Sequence, residues 1–428
     1  MDIKCVQGSW LFAVGELSIR IEHGQVEVFG AEYSSGDIIL VPKYRSVPIY
    51  VINDSVLNID FEDGYIAESK EALIPDDWKK LAKRLYDKSN GFVVMVIGNI
   101  DTGKTGLLTF LANTLYLRGK KVAIIDADVG QSDIGPPTTI GLGFMEHPII
   151  HLSEVPLYDA FFVGSVTPAG VLDRMIVGTY EMVRKAKDIG ADVVLLDTTG
   201  WVGDRGGREL KLGKISVINP DLLVLIEKFP GELNYIEKSI IRYSGEIIRV
   251  RAAPKLKARN WEERRELRKM MYEKEFEDAR EVVISLDSVK ISYGFLGTGT
   301  TISNDTMTIL EGILGDISQF YIEESWDSLL IVSNVDVPPR VIDELKKKVG
   351  KREVVFLKKD KLKYLAVSLH DSTGRFLGLG IILDFDLVAR KLLVYTRARL
   401  DTLASIQIGH IKINPNGEEL EKLSPWSI

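Results

Sequence analysis

Gly91-Phe92-Val93-Val94-Met95-Val96-Ile97 runs into Gly98-Asn99-Ile100-Asp101-Thr102-Gly103-Lys104-Thr105, and that in turn into Gly106-Leu107-Leu108-Thr109-Phe110-Leu111-Ala112-Asn113-Thr114-Leu115. The first piece is a short apolar, β-branched run. The second is a full G-x-x-x-x-G-K-[ST] string, and the third carries apolar residues at helical spacing, so the stretch reads as strand, loop, helix. In that order successive backbone N–H groups and the positive end of the helix point at a polyphosphate. Lys104 then neutralises the β/γ oxygens and the Thr105 hydroxyl ligates Mg²⁺. Gly98, Asn99, Ile100, Asp101, Thr102, Gly103, Lys104 and Thr105 are the expected cradle for a nucleoside triphosphate. The bland alternative, a glycine-rich turn that matches by chance, is disfavoured by the text on both sides.

Outward from this loop the pattern repeats. Lys121-Val122-Ala123-Ile124-Ile125-Asp126, Ala191-Asp192-Val193-Val194-Leu195-Leu196-Asp197 and Asp221-Leu222-Leu223-Val224-Leu225-Ile226 are continuous apolar runs separated by helical text. Such runs mark an α/β fold with a parallel sheet covered by helices on both faces. Before it, from about Trp10 to Asp63, short runs such as Leu17-Ser18-Ile19-Arg20-Ile21 alternate apolar and polar residues between glycines, which predicts a β-rich region. Asp76 to about Lys88 reads as a helix begun by Pro75-Asp76-Asp77. A polar helix is expected over about 255–280, and the remaining text returns to short strands, among them Leu377-Gly378-Leu379-Gly380-Ile381-Ile382-Leu383 with a bulge or close backbone approach. The expected organisation is a β-rich N-terminal domain over 1–68, a phosphate-loop domain over 69–286 that includes the polar helix, and a mostly β C-terminal domain over 287–428.

Composition narrows the function classes. The 428-residue chain has 45% hydrophobic and 27% charged residues and no apolar stretch of membrane-spanning length. The opening Met1-Asp2-Ile3-Lys4-Cys5-Val6 lacks the basic and apolar regions of a signal peptide. Cys5 is the single cysteine, which excludes an internal disulfide and a cysteine-based metal cluster, and cytoplasmic residence is expected. A net charge of −7 argues against sequence-independent coating of nucleic acid, so any such site must be a local basic patch.

Ligands of open α/β sheets bind at the carboxyl ends of the strands, and the chemistry-bearing residues gather there. Asp126-Ala127-Asp128-Val129-Gly130-Gln131 closes one strand. A carboxylate at this place can hold Mg²⁺ and take a proton from an incoming hydroxyl, with Asp128 the first choice and Asp126 the second. Asp197-Thr198-Thr199-Gly200-Trp201 closes the next strand, and its D-x-x-G string is also what a GTPase places against a γ-phosphate. The guanine-reading Asn-Lys-x-Asp string is missing, since Ile226-Glu227-Lys228-Phe229-Pro230 lacks both the Asn and the Asp. Trp201, beside a glycine at this edge, is either partly buried core or a stacking platform for an exposed base, worth about 1 to 3 kcal/mol per base. Thr198 and Thr199 are placed to bond a neighbouring phosphate. In Arg259-Asn260-Trp261-Glu262-Glu263-Arg264-Arg265-Glu266-Leu267-Arg268-Lys269, Arg264 and Arg268 fall four apart on one helical face. They form either a solvated charged face or a guanidinium pair that clamps a transferred phosphoryl group.

The phosphate loop, Asp128-Val129-Gly130-Gln131, Thr198-Thr199-Gly200-Trp201 and Arg264-Arg265-Glu266-Leu267-Arg268, in this order, resemble the polynucleotide 5′-hydroxyl kinases of tRNA, rRNA and pre-mRNA processing, in a prokaryotic, archaeal-type form. The resemblance reaches Glu16-Leu17 and Gly24-Gln25-Val26-Glu27-Val28-Phe29-Gly30-Ala31-Glu32 in the β-rich opening. It implies ATP as donor and Mg²⁺ as cofactor, with Lys104 and Thr105 on phosphate and metal and Asp128 as base and metal ligand. It further implies that Gln131, Thr198 and Trp201 hold the terminal nucleotides, that Arg264 and Arg268 form a lid, and that Glu16 contacts adenine. Asp197 departs from the asparagine often found there. The expected activity is transfer of the γ-phosphoryl group of ATP to the 5′-hydroxyl of RNA, with DNA ends as a second acceptor and no membrane partner. A nucleotide-driven switch and an ATP-holding scaffold in RNA processing are the two other classes weighed; a scaffold has no use for a base or a lid.

Overall fold

The computed structural model describes residues 1–254 and 260–424. Within it the chain divides into two compact units. One comprises Met1–Gly135, Thr139–Phe161 and Leu172–Leu267, and the other Pro136–Thr138, Phe162–Val171 and the chain from Arg268 onward.

The first unit is built on a seven-stranded sheet with the order Glu246–Arg251, Leu222–Glu227, Phe92–Gly98, Val193–Thr198, Val122–Ala127, Thr139–Phe144, Leu157–Phe162. Pairing is parallel from Glu246–Arg251 through to Val122–Ala127. Residues of Val193–Thr198, Val122–Ala127 and Leu222–Glu227 are buried throughout, as expected where both faces are covered. The helix Lys104–Tyr116 packs on the three middle strands, and Leu172–Asp188 packs on Val122–Ala127 and Thr139–Phe144. One departure from the expected sheet is Thr139–Phe144, which joins Val122–Ala127 antiparallel. The helices provide the crossovers that parallel neighbours require, whereas this strand returns after a short loop stiffened by Pro136-Pro137 and so must run the other way.

The β-rich opening forms its own five-stranded sheet, in which the long strands Trp10–Val28 and Ser46–Ser69 make the principal pair. Trp10 pairs with both Tyr50 and Ser69, so the pair curls back on itself. The expected boundary at residue 68 does not separate two cores. Ile19, Val28, Ile49 and Ile59 share one buried cluster with Trp78, Leu81, Leu107, Leu111 and Val224. The helix Asp76–Leu85, close to its expected span, inserts Trp78, 1% exposed, whose indole N–H donates to the Arg251 carbonyl at 3.0 Å. Asn113 ties three segments together. Its Nδ2 donates to the carbonyls of Phe29 (3.0 Å) and Ile149 (2.7 Å), and its Oδ1 accepts from the Ile149 N–H (2.8 Å).

The second unit departs further from expectation. It contains a large, mostly antiparallel sheet, including Leu365–Asp371, Phe376–Asp386, Lys391–Thr396 and Leu403–Ile413, with a register shift between Ile382 and Asp384 in the glycine-containing strand. The sheet begins earlier than residue 287, because Arg280–Ser285 pairs with Lys391–Thr396. It also contains a small α/β piece, with strands Tyr321–Glu324, Ser328–Ser333 and Glu353–Lys358 and helices Asn304–Leu314 and Pro339–Val349. Asn304–Leu314 escapes the sequence pattern because it is short, rich in β-branched residues and weakly periodic, whereas Pro339–Val349 is amphipathic and begins with Pro338-Pro339, a helix the pattern does carry within text that otherwise reads as strands. No helix among the described residues is long and apolar enough to cross a membrane.

Replacing Asn113 by Leu leaves three buried backbone groups without partners, each costing about 1 to 3 kcal/mol. Chemical denaturation of Asn113→Leu is expected to show a loss of about 3 kcal/mol or more, against under about 1 kcal/mol for Asn219→Ser at the exposed end of another helix.

Candidate active site

The phosphate loop occupies the turn from Phe92–Gly98 into Lys104–Tyr116. Two glycines are sterically required. A Cβ at Gly98 would lie 2.2 Å from Ile226 Cγ2, and Gly103 caps the helix at φ +87°. The loop is braced from outside: Asn99 Nδ2 donates to Glu232 (3.1 Å), and Lys228 Nζ donates to the Ile100 carbonyl (2.8 Å). Lys104 is 8% exposed and its Nζ donates to the Asn99 carbonyl at 2.8 Å, lying across the concavity of the loop. Burial pushes its pKa down, and the charges of Asp197, Asp128 and Asp101 oppose that push.

Around this loop is a cavity lined by Lys104, Thr105, Asp128, Gln131, Asp197 and Gly200 on its polar side. Phe29, Pro48, Leu73, Trp78, Ala253 and Pro254 line it on an apolar side, and Arg45, Asp133 and His151 also border it. The two strand-end carboxylates of the sequence pattern separate into different jobs. Asp126 is 2% exposed and accepts backbone N–H groups from Asp128 (3.0 Å), Asp133 and Ile134 (3.2 Å). It folds the loop that follows, and burial, with Asp133 and Asp197 nearby, raises its pKa well above the usual carboxylate range. Asp128 is half-buried, lines the cavity, and accepts a 3.2 Å bond from Gly130 N–H. Asp197, 4% exposed, accepts the Thr105 hydroxyl at 2.9 Å. Burial pushes its carboxyl up to about 6, against the pull of Lys104 and the Thr105 bond.

The acceptor-side residues are placed unevenly. Gln131 lines the cavity and its N–H donates to the Asp128 carbonyl (3.0 Å). Thr198 does not reach the cavity: it is fully buried at the strand end and its hydroxyl donates to the Val96 carbonyl at 2.8 Å. The expectation that it grips substrate is corrected, because a β-branched residue closing a central strand turns its hydroxyl to the neighbouring strand. Thr199 is also committed, its carbonyl and hydroxyl accepting from Lys211 Nζ at 2.5 and 3.0 Å. Gly200 presses on the phosphate loop, where a Cβ would lie 2.9 Å from Ile100 Cα. Trp201 follows, half-buried beside the cavity rather than lining it. Its indole N–H donates to Asp204 (2.8 Å), and its six-membered ring lies over Gly206, where a Cβ would come within 2.5 Å. Asp204 also caps the helix Arg205–Ile218 through Gly207 N–H (2.9 Å).

The polar helix runs Trp261–Glu275, capped by reciprocal bonds between Asn260 and Glu263 (2.8 and 3.0 Å). Residues 255–259 of the expected helix, Arg259 among them, lie outside the described residues. Arg264 reaches the phosphate loop, its Nη2 3.6 Å from Asp101, with its buried Nε lacking a hydrogen-bond partner. Arg268 departs from the expected lid. Its guanidinium is 9% exposed and engages Glu419 through Nε (2.5 Å) and Nη2 (3.1 Å). Sequence spacing puts the two arginines on one face and says nothing of Glu419, which lies 151 residues away. Glu16 sits half-buried in Trp10–Val28 opposite Asp63 and is not among the cavity-lining residues.

Sequence reasoning missed Arg45, Asp133, His151 and the apolar wall. Arg45 pairs with Asp133 and is 8% exposed, and His151 Nε2 lies 3.6 Å from Asp133. None of these carries a motif. The one available signal was the lone Pro75-initiated helix delivering Trp78 just ahead of the phosphate-loop strand.

The family model for the phosphate-loop region of the mRNA cleavage and polyadenylation factor CLP1 matches residues 98–278. A polyribonucleotide 5′-hydroxyl-kinase of Pyrococcus furiosus is 34% identical over 81% of this chain and 95% of its own length. The chain belongs to this kinase family. A namesake from Methanocaldococcus jannaschii is 32% identical over 83% of this chain and 96% of its own length. Among solved structures, wild-type Clp1p in complex with Pcf11p covers 96% of this chain and 97% of its own at a TM-score of 0.61 and 14% identity, a likeness of fold. The family thus has the α/β phosphate-loop architecture with β-rich flanks that the sequence pattern predicts.

The two arginines of the polar helix are separable by stability. Arg268→Ala removes the guanidinium that engages Glu419 in a buried ion pair and is expected to cost about 3 to 5 kcal/mol in denaturant titration, whereas Arg264→Ala should cost under about 1 kcal/mol. Equal losses would assign both to the same structural role.

Proposed function

We propose that this chain transfers the γ-phosphoryl group of ATP to the 5′-hydroxyl of RNA, and of DNA ends as a second acceptor. The observation that carries this reading is the placement of Asp128. It is a half-buried carboxylate in the cavity that holds Lys104 and Thr105, standing clear of the loop-folding task that occupies Asp126.

The apolar wall of Phe29, Pro48, Leu73 and Trp78 takes the adenine, and the phosphate loop with Lys104 takes the phosphates. Asp128 accepts the proton of the 5′-hydroxyl as its oxygen attacks the γ-phosphorus. The bond from that phosphorus to the β,γ-bridging oxygen breaks, and ADP leaves with the electron pair. Arg264, already at the phosphate loop, offers its guanidinium to charge developing on the transferred group. Arg268 anchors the same helix through Glu419 rather than touching phosphate. Gln131 lies on the acceptor side, and Trp201 presents an aromatic face next to Gly200 for the terminal base.

No group of three or more His, Cys, Asp and Glu residues among the described residues is arranged to hold a metal alone. That suits Mg²⁺, which keeps waters and shares its ligands with nucleotide phosphates. Thr105 and Asp128 would hold it, with Asp197 orienting the Thr105 hydroxyl, and its chemistry would be to neutralise β- and γ-oxygen charge. The readings as switch or scaffold lack support at the site. Glu227, at the guanine-reading position, is engaged with Leu233 N–H (2.9 Å) and Arg249 (3.0 Å). Residence in the cytoplasm accords with the single, buried cysteine.

Incubation with γ-labelled ATP, Mg²⁺ and matched oligonucleotides is expected to label 5′-hydroxyl ends and leave 5′-phosphate ends unlabelled. Asp128→Ala should reduce kcat by at least about a hundredfold with ATP affinity and thermal stability retained, the range for a positioned general base. A near wild-type rate would remove Asp128 from this role. Trp201→Ala should raise KM for the oligonucleotide about tenfold or more and KM for ATP little, the signature of lost stacking. Parallel changes in both would return Trp201 to the core.

A further inference from the structure

The helix Arg205–Ile218 buries two lysines, Lys211 and Lys214, each with 0% exposure. Burying an ammonium costs several kcal/mol, and an apolar side chain of the same length would pack there at no such cost. Its charged neighbours are mixed: Lys214 and Lys104 add to that cost, and the carboxylates of Asp128 and Asp197 offset part of it. Beyond that balance, what the Lys211 amino group touches gives it a specific task.

Lys211 Nζ donates to the Thr199 carbonyl at 2.5 Å and to the Thr199 hydroxyl at 3.0 Å. Thr199 is the hinge point of a short segment in which every other residue is fixed by something else. Asp197 is held by Thr105 and Thr198 by Val96, Gly200 rests on Ile100 of the phosphate loop, and Trp201 is held by Asp204. The strand ends at Thr198, so Thr199 has left the ladder, and its hydrogen-bonding groups are supplied by the lysine. Gly200 tolerates no side chain against Ile100, which makes the segment a rigid link between the phosphate loop and the indole.

We propose that Lys211 is a positioning residue for the 5′-hydroxyl polynucleotide. By clamping Thr199 it fixes the path from the phosphate loop to Trp201, so that the indole stands at the correct distance from the transferred phosphoryl group. Lys211 touches neither nucleotide nor acceptor and acts through Thr199, Gly200 and Trp201. This inference rests on the reading of Trp201 as the acceptor's stacking surface.

The test is steady-state kinetics of the full chain with ATP and a 5′-hydroxyl oligoribonucleotide, run on wild type, Lys211→Met, Thr199→Val and Trp201→Ala. Lys211→Met keeps the length of the side chain and removes both donors. It is expected to raise KM for the oligonucleotide about tenfold and to change KM for ATP by less than about twofold, the split that marks loss of acceptor positioning. Thr199→Val keeps the carbonyl bond and removes the hydroxyl one, so a smaller rise in the same constant is expected. The double variant should be no worse than Lys211→Met, because both act on one link. A merely structural lysine would lower the melting temperature and leave the two KM values in their wild-type ratio, which overturns the proposal. If Lys211→Met does not fold, judged by loss of its ATP-induced thermal shift, Thr199→Val decides alone, an unchanged oligonucleotide KM being the overturning result. A raised KM in Trp201→Ala with none in the lysine and threonine variants defeats this inference alone. An unchanged Trp201→Ala removes the acceptor reading and this inference with it.

Discussion

The carboxyl group of Asp126 gathers the backbone N–H groups of Asp128, Asp133 and Ile134 around one buried acceptor, and the wall of the cavity follows from that arrangement. These bonds replace the ladder that ends with the strand and leave none of the three donors unmet. The turn they enforce lifts Asp128 and Gln131 into the cavity. It also aims Asp133 back at Arg45 and His151, so the N-terminal sheet and the loop before the next strand meet at one acid.

Charge balance beneath the site shows the same economy. Asp126, Asp197 and Asp128 crowd the ends of two adjacent strands, and burial raises the first two above their ordinary range. Lys104 answers them from above. From below, Lys214, without a hydrogen-bond partner and pushed down to about 7 by burial, is drawn in the opposite direction by the same three carboxylates. The attraction between these lysines and the acids opposes what burial does to each of them.

The sequence carried the phosphate loop completely, because such a loop must place glycine where a Cβ would collide, as at Gly98, or where the backbone turns left-handed, as at Gly103. It carried the pair Asp126 and Asp128 as a pair. The pattern ranks Asp128 ahead of Asp126, and geometry adds that Asp126 folds the following loop, a task that depends on the N–H groups of Asp133 and Ile134. Thr198 and Arg268 misled for one reason: a motif records residue type, whereas Val96 and Glu419, which take up their donors, are distant in the chain. In the α/β piece within the second unit, Asn304–Leu314 is hard to read because a short helix with weak periodicity resembles a loop, whereas Pro339–Val349 carries an amphipathic pattern inside text dominated by strands. Arg45 and His151 were invisible because a single charged residue inside a β-rich text has no local signature, and their importance comes from Asp133.

Asn113 and the shared core have a consequence for how this protein can vary. The residues before the phosphate-loop strand supply part of the cavity wall, and their apolar side chains interleave with those of the helix that carries Lys104. An insertion or exchange at residue 68 would leave the nucleotide pocket open on one side and strip Phe110 and Leu111 of their cover. The opening sheet and the sheet that carries the phosphate loop therefore share one core, and substitutions in either must be accommodated by the other.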